Sequence, residues 1–149
     1  MEIDNISDHL KKLSNNEWEK LFALIPQIEL IKEFSKGGDV IEDKNDHDSY
    51  IIIPEIEDPI VLKFLDIMEE LDLIIPFSWS KWDYGKAIYE KGEYSNLDTI
   101  TLLKLLTAFI RADHFSYGAG LASRFEDRTI GKILIELKNN ILKSSYPKN

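Results

Sequence analysis

The polar side chains best placed to do chemistry lie beyond the end of a long apolar segment. Four of them could meet there if the neighbouring helices fold back on each other: Arg111, Asp113, His114 and Glu126. In that arrangement they border a polar pocket, and Arg111 would bind a small anion or a peptide carboxylate through paired hydrogen bonds. The alternative is a structural ion pair that pins a helix end. The sequence leaves both interpretations open.

Aromatic residues form a second candidate site. Phe77, Trp79 and Trp82 lie within six positions of one another. Tryptophan is enriched among the residues that dominate binding energy in protein interfaces, so Trp79 and Trp82 are candidate contacts for a partner. The same rings could instead fill the core from a loop, because each buries a large apolar area. The two alternatives differ in whether the rings face a partner or the protein interior.

Metal sites are not indicated by the sequence. The acidic stretch that begins at Asp43 resembles a calcium loop, but its sixth position, which needs glycine, is Asp48, and its twelfth, which needs glutamate, is Pro54. We interpret residues 39–49 as a solvated loop. The chain has no cysteine, and its histidines share no ligand spacing. The histidines are His9, His47 and His114. We therefore predict no metal and no cofactor.

Nucleotide-binding and nucleophile motifs are also missing from the sequence. Gly118 and Gly120 reproduce part of the dinucleotide-binding fingerprint, but the third glycine is absent and no βαβ unit surrounds them. We interpret this segment as a turn between two helices. The phosphate-loop, nucleophile-elbow and two-histidine zinc motifs do not occur. We assign no catalytic residue, and the chain is more simply explained as a protein that is not an enzyme.

Composition limits the class of protein further. The 149 residues are 44% hydrophobic, and we expect one globular domain at residues 1–143 with a frayed tail at 144–149. The 27 acidic and 18 basic residues give a net charge of −9, which disfavours nucleic acid and anionic membranes and permits a basic protein partner. We see no leader pattern and no apolar stretch long enough to span a bilayer, so we expect a cytoplasmic protein.

Helical periodicity and its breaks predict the fold. Pro26 should kink or end the helix that carries it. Asp58 followed by Pro59 marks a helix start. The segment from Ile100 to Ile110 is apolar nearly all round, which is typical of a central helix. The amphipathic segment at 130–141 would pack across it. We expect a mainly α, compact orthogonal bundle of five or six helices, with at most one short β hairpin near residues 40–53.

Two segments of the chain resemble, taken together, a bacterial domain-of-unknown-function family, number 6508. They are residues 73–82 and residues 105–125, and the likeness extends forward to Trp18. The chain departs from the family pattern at Ser78, where aspartate is expected, and at His114, where a second arginine is expected. The spacing from Phe115 to Phe125 is one residue longer than the family pattern leads us to expect. The resemblance implies a compact bacterial domain and supplies no activity, cofactor or partner.

Two functions are compatible with these observations. The first is a non-catalytic protein-interaction module, such as an acidic inhibitor or immunity-type protein that blocks a basic partner. The second is a small-ligand-binding protein or an enzyme that uses the polar pocket. The first follows from the net charge, the missing catalytic motifs and the clustered tryptophans. The second requires the four polar side chains to converge: Arg111, Asp113, His114 and Glu126.

Overall fold

The structure, a computed structural model, describes residues 3–36, 40–42, 50–52, 56–115 and 120–145. Over those residues the chain forms eight α-helices, one short 3₁₀ helix and four short strands. The expected mainly α, compact fold is confirmed, and its helical residues are divided among more helices than the five or six expected. The helices are α1 (Ile3–Lys12), α2 (Asn15–Phe22), α3 (Leu24–Leu30), α4 (Pro59–Glu70), the 3₁₀ helix (Trp79–Lys81), α5 (Asp83–Lys91), α6 (Thr99–Phe115), α7 (Gly120–Glu126) and α8 (Thr129–Ser145).

Helix α2 begins with a reciprocal cap. The Glu17 amide donates to Ser14 Oγ at 3.1 Å, and the Ser14 amide donates to Glu17 Oε1 at 3.0 Å. These bonds satisfy two of the amides that a helix start leaves without partners. The hydrogen bond from the Ser14 backbone holds the pKa of the Glu17 carboxyl below its usual value. Ser14 therefore fixes where α2 starts.

The helix that precedes Pro26 ends in the turn before the proline, with the break at Ala23 and not at Pro26 itself. Pro26 lies in the first turn of α3. Amide groups in the first turn have no partner within their own helix, so a missing donor there costs nothing. Pro26 is thus accommodated in α3 and neither kinks nor ends it.

Four short strands form antiparallel pairs between α3 and α4. Strand β1 (Ser35–Lys36) pairs with β4 (Ile56–Glu57), and β2 (Val40–Glu42) pairs with β3 (Tyr50–Ile52). The facing residues of the two pairs follow one antiparallel register: Ser35 faces Glu57, and Val40 faces Ile52. The second matches the hairpin expected near residues 40–53. The acidic loop predicted at 39–49 falls, apart from β2, outside the described residues.

The predicted helix start at Asp58 is found where expected, whereas Gly120, predicted to lie in a turn, is the first residue of α7. Asp58 Oδ1 accepts a hydrogen bond from the Ile60 amide at 2.9 Å, which caps α4. Gly92 ends α5 with φ of 72°, a left-handed conformation that glycine adopts without strain. Helix α7 had been interpreted as a turn, because a short helix after Gly120 carries little periodic signal. Helix α8 extends to Ser145, and residues 146–149 lie outside the described part.

Helix α6 lies at the centre of the packing. It contacts α7, α8 and the 3₁₀ helix. The buried Thr107 Oγ1 accepts a hydrogen bond from the Ile75 amide at 3.0 Å and ties the segment before the 3₁₀ helix to α6. Phe125 of α7 packs against Phe64 and Phe34 with ring centroids 5.4 Å apart in both pairs. No helix among the described residues is long and apolar enough to cross a membrane.

The position of Leu106 in α6 can be tested by charge substitution. Leu106 is 0% exposed, whereas Leu62 on α4 is 62% exposed. We expect Leu106→Asp to unfold the domain, because an unpaired buried charge costs several kcal/mol. Leu62→Asp should melt cooperatively near the wild-type temperature in circular dichroism. A Leu106→Asp protein that also melts cooperatively near that temperature would contradict the central position of α6.

Candidate functional site

A pocket of about 300 Å³ opens between the 3₁₀ helix, α5 and α6. Its walls are mostly aromatic, apolar or small, and Lys86 is the charged side chain among the described residues that line it. The lining residues are Trp79, Ser80, Trp82, Gly85, Lys86, Tyr89, Leu105, Ala108, Phe109 and Ala112. We call this the aromatic pocket.

One wall of the aromatic pocket is a single face of α5 and its cap. Trp82, Gly85, Lys86 and Tyr89 recur at the spacing of a helix face. Gly85 is required by a close approach, since a Cβ atom there would lie 2.7 Å from Trp82 Cζ3 and 2.9 Å from Trp82 Cδ2. The indole therefore lies directly against the α5 backbone.

The Trp82 ring is held from its other sides by Phe77 and Lys104. Phe77 meets Trp82 edge to face, with ring centroids 5.2 Å apart and planes at 87°. The Lys104 ammonium lies 5.2 Å from the Phe77 centroid and 5.8 Å from the Trp82 centroid. Cations at these distances are attracted to the ring faces. Trp82 is thus a fixed wall of the pocket.

The opposite end of the pocket is built around Tyr89. Its ring packs edge to face on Phe109 at 5.5 Å between centroids, and the Arg124 guanidinium lies 4.7 Å from the Tyr89 centroid. The Tyr89 hydroxyl donates to Asp127 Oδ2 at 3.0 Å, and Arg124 Nη1 lies 3.2 Å from the same oxygen. These contacts fix the Tyr89 ring.

The floor of the pocket comes from α6, where small residues leave space. Leu105, Ala108, Phe109 and Ala112 recur at helical spacing and form one face. Ala108 is half-buried, whereas Ala112 is exposed at the mouth. A larger side chain at either alanine would fill the pocket, so the recess depends on these two small residues.

The structure therefore brings together both predicted tryptophans, and Phe77 packs behind one of them. Trp82 and Phe77 also pack against the hydrophobic core. The two sequence interpretations describe different sides of the same cluster: part of it closes the core, and Trp79 and Trp82 line a recess. Tyr89, Phe109 and the small residues were not predicted.

The predicted polar cluster is not assembled by the contacts that the structure describes. Arg111 is exposed on α6. Asp113 and His114 belong to the same helix, but their side chains lie outside the described residues. Glu126 Oε1 accepts hydrogen bonds from the Phe34 amide at 3.3 Å and from Ser35 Oγ at 3.5 Å. Glu126 thus joins α7 to the start of β1.

The residues that follow Glu126 also serve the fold. Arg128 donates from Nη1 to the Ile28 carbonyl and from Nη2 to the Ile31 carbonyl, both at 2.9 Å. Its guanidinium lies 5.5 Å from the Phe34 ring centroid. The carbonyl groups at a helix end lack partners within the helix, so Arg128 completes the end of α3.

A larger cleft, of about 810 Å³, lies between α1, the start of α2, the start of α6 and the end of α8. Ser14 and Asp98 are two of its polar lining residues. Ser14 caps α2, and Asp98 Oδ1 accepts a hydrogen bond from the Thr101 amide at 2.8 Å. These groups already have helix-capping partners, and we place the candidate site at the aromatic pocket.

Metal-binding groups do not cluster in the part of the chain that the structure describes. No group of three or more histidine, cysteine, aspartate or glutamate residues there could hold a metal ion. His9 Nε2 forms a hydrogen bond with the Leu71 carbonyl at 2.8 Å, which links α1 to the end of α4. His47 and the His114 side chain lie outside the described residues.

Comparison with known protein families decides the family of the chain. The profile of a family of unknown function, DUF6508, matches residues 13–142. The chain belongs to this family. The resemblance noted at residues 73–82 and 105–125 is thereby confirmed, and the whole lining of the aromatic pocket falls within the matched span. No curated protein and no solved structure matched the chain.

Two helical glycines test the close approach of Trp82. Gly85→Ala should lower the free energy of unfolding by about 1 kcal/mol, because overpacking against the indole outweighs the better helix propensity of alanine. Gly131→Ala is the matched control, since its Cβ would lie 3.7 Å from Ile28 Cγ2, an ordinary contact. It should raise the free energy by about 0.5–1 kcal/mol. Urea denaturation measures both.

The near-ultraviolet circular dichroism of the tryptophans should change in Gly85→Ala and stay the same in Gly131→Ala. Equal stabilisation of both variants with unchanged tryptophan spectra would show that Trp82 does not lie against α5.

Proposed function

We propose that this protein is a non-catalytic interaction module of the bacterial cytoplasm, and that its aromatic pocket receives an apolar side chain of a partner protein. The observation that supports this most is the lining of the pocket. Trp79, Trp82, Tyr89 and Phe109 supply aromatic walls around a recess of about 300 Å³. Aromatic residues around a small, desolvated recess are typical of the positions that dominate binding energy in protein interfaces.

The chemistry of the lining supports binding over catalysis. General acid–base or nucleophilic catalysis needs a titratable group or nucleophile beside the reacting atoms, usually with a second group that activates it. Among the described lining residues the side chains with an ionisable or nucleophilic group are Ser80, Lys86 and Tyr89. The Tyr89 hydroxyl is engaged by Asp127, and its ring is packed between Phe109 and Arg124. This arrangement fixes a surface and does not activate a nucleophile.

The rigidity of the pocket also supports a docking role. Trp82 is packed against Gly85, Phe77 and Lys104, and Tyr89 is held by contacts on both sides. Rings that are ordered before binding lose little conformational freedom when a partner docks, so more of the contact energy appears as affinity. A rigid aromatic recess suits an anchor side chain.

The net charge of −9 supports a partner that is basic over its surface as a whole. Opposite net charges accelerate encounter between proteins. A basic partner would be consistent with an inhibitor or immunity-type role, in which this protein covers a functional surface of that partner.

Small apolar molecules are the alternative occupants of the aromatic pocket, because its volume is at the lower end of the range of ligand sites.

A pair of alanine substitutions tests the proposal. Ala112 lines the mouth of the pocket, and the exposed Ala87 lies on α5 outside the lining. We expect Ala112→Leu to weaken binding of the native partner about thirtyfold or more, because the added side chain occupies the space of the anchor. Ala87→Leu should bind within about twofold of wild type. Leucine is a good helix former, so both variants should fold.

The measurement begins with capture of partners from the native cytosol by tagged wild type and both variants. Each protein retained by wild type and by Ala87→Leu is then purified and titrated by calorimetry against wild type and both variants. A partner that binds Ala112→Leu as tightly as wild type would place the docking site elsewhere on the protein. Loss of a bound small molecule with no loss of any protein would favour the alternative occupant.

A further inference from the structure

The charges around the aromatic pocket have the opposite sign to the charge of the protein as a whole. Lys86 lines the pocket. Lys104 lies over the ring of Trp82, and Arg124 lies over the ring of Tyr89. Cations therefore stand at both ends of the pocket and in its lining, although the protein carries a net charge of −9.

Among the described residues a carboxylate neutralises Arg124, but none forms an ion pair with Lys86 or Lys104. Asp127 is already engaged by the Tyr89 hydroxyl and by Arg124. Asp83 and Glu90 lie on α5, but neither lines the pocket. Asp83 precedes Lys86 by three residues and Glu90 follows it by four, so both are its neighbours on the helix surface, although neither forms an ion pair with it in the described structure. The lining itself is thus apolar and cationic.

We infer that the partner segment that enters the aromatic pocket is acidic: an aromatic or aliphatic anchor flanked by aspartate or glutamate. This inference rests on the proposed function and specifies its contact. The anchor displaces water from the rings of Trp79, Trp82 and Phe109, and the flanking carboxylates face Lys86 and Lys104. A basic segment would place like charges beside Lys86, which costs affinity.

The overall acidity of the protein does not oppose this contact. Charges separated by more than about 8 Å of physiological salt solution are largely screened, so the charges beside the bound segment dominate its energy. The rest of the partner can be basic and still present an acidic loop at this point. The sign of the local charge is therefore a separate question from the sign of the partner.

Short peptides separate the two signs. The probes are capped pentapeptides with a central phenylalanine between two aspartates or glutamates on each side, the same peptide with lysines and arginines, and an acidic peptide with central alanine. Each is titrated into ¹⁵N-labelled protein, and amide shifts are followed at Gly85, Lys86, Ala108 and Ala112. We expect saturable shifts with the acidic phenylalanine peptide and at least about tenfold weaker binding of the other two.

A charge reversal identifies the cation involved. Lys86→Glu should weaken the acidic phenylalanine peptide about fivefold, since exposed ion pairs contribute up to about 1 kcal/mol. Lys63→Glu, at an exposed position on α4, changes the net charge by the same amount and should leave the affinity within about twofold. Equal weakening by both variants would mean that overall charge, and not Lys86, controls binding, and would overturn the inference.

The remaining outcomes each decide the question. Tighter binding of the basic peptide at the same amides would reverse the inferred sign. Naphthoate serves as a fourth probe. Shifts with naphthoate but with neither phenylalanine peptide would show that the pocket takes a small aromatic anion, and would overturn the inference that a protein segment enters it. No pocket shifts with any probe would overturn the inference, whereas the proposed function fails only if the native partner is insensitive to Ala112→Leu.

Discussion

The burial of α6 is the constraint on which the rest of the structure depends. Most of its apolar side chains are buried, and α7, α8 and the 3₁₀ helix pack around it. Thr107 is buried with them and satisfies the Ile75 amide, so the segment leading to the 3₁₀ helix is tied to the same helix. An unpaired amide in that position would cost free energy comparable to a lost hydrogen bond. The position of Trp79 and Trp82 follows from this attachment.

The same helix explains why a recess exists beside it. On the face of α6 that meets α5, Ala108 and Ala112 replace the large residues found on its buried face. On α5, Gly85 lets the Trp82 ring lie against the backbone and leaves the space above it open. Small residues on two facing helices and large rings at both ends therefore produce the aromatic pocket. Its shape results from packing, and its chemistry from the rings and cations that line it.

Local signals in the sequence were sufficient for much of the fold. The helix start at Asp58 was predicted, because capping depends on neighbouring amides only. The apolar segment of α6 was predicted as a central helix, because its burial follows from its own composition. Pro26 predicted a helix break but not its position: the break lies at Ala23, because the proline lacks the amide for the carbonyl four residues before it and is tolerated in the first turn of α3.

The site was predictable only in part, because its geometry depends on contacts between distant segments. The clustering of Trp79 and Trp82 was visible in the sequence, but the facing alanines of α6 carry no signal of their own. Glu126 was predicted as part of a polar cluster, yet the partners that the structure gives it, the Phe34 amide and Ser35 Oγ, lie far away in the sequence. Such pairings depend on how α7 packs against α3 and α4. Residue type could suggest the chemistry of Glu126 and could not assign its partners.

The central claim is that the aromatic pocket is the surface on which a partner docks. Hydrogen–deuterium exchange of the protein, alone and with its purified native partner, tests this most directly, because amides under a docked surface exchange more slowly. We predict slower exchange in residues 79–91 and 105–112 on binding, with little change around the cleft between α1 and α8. Protection confined to that cleft, or to any surface away from α5 and α6, would contradict the account.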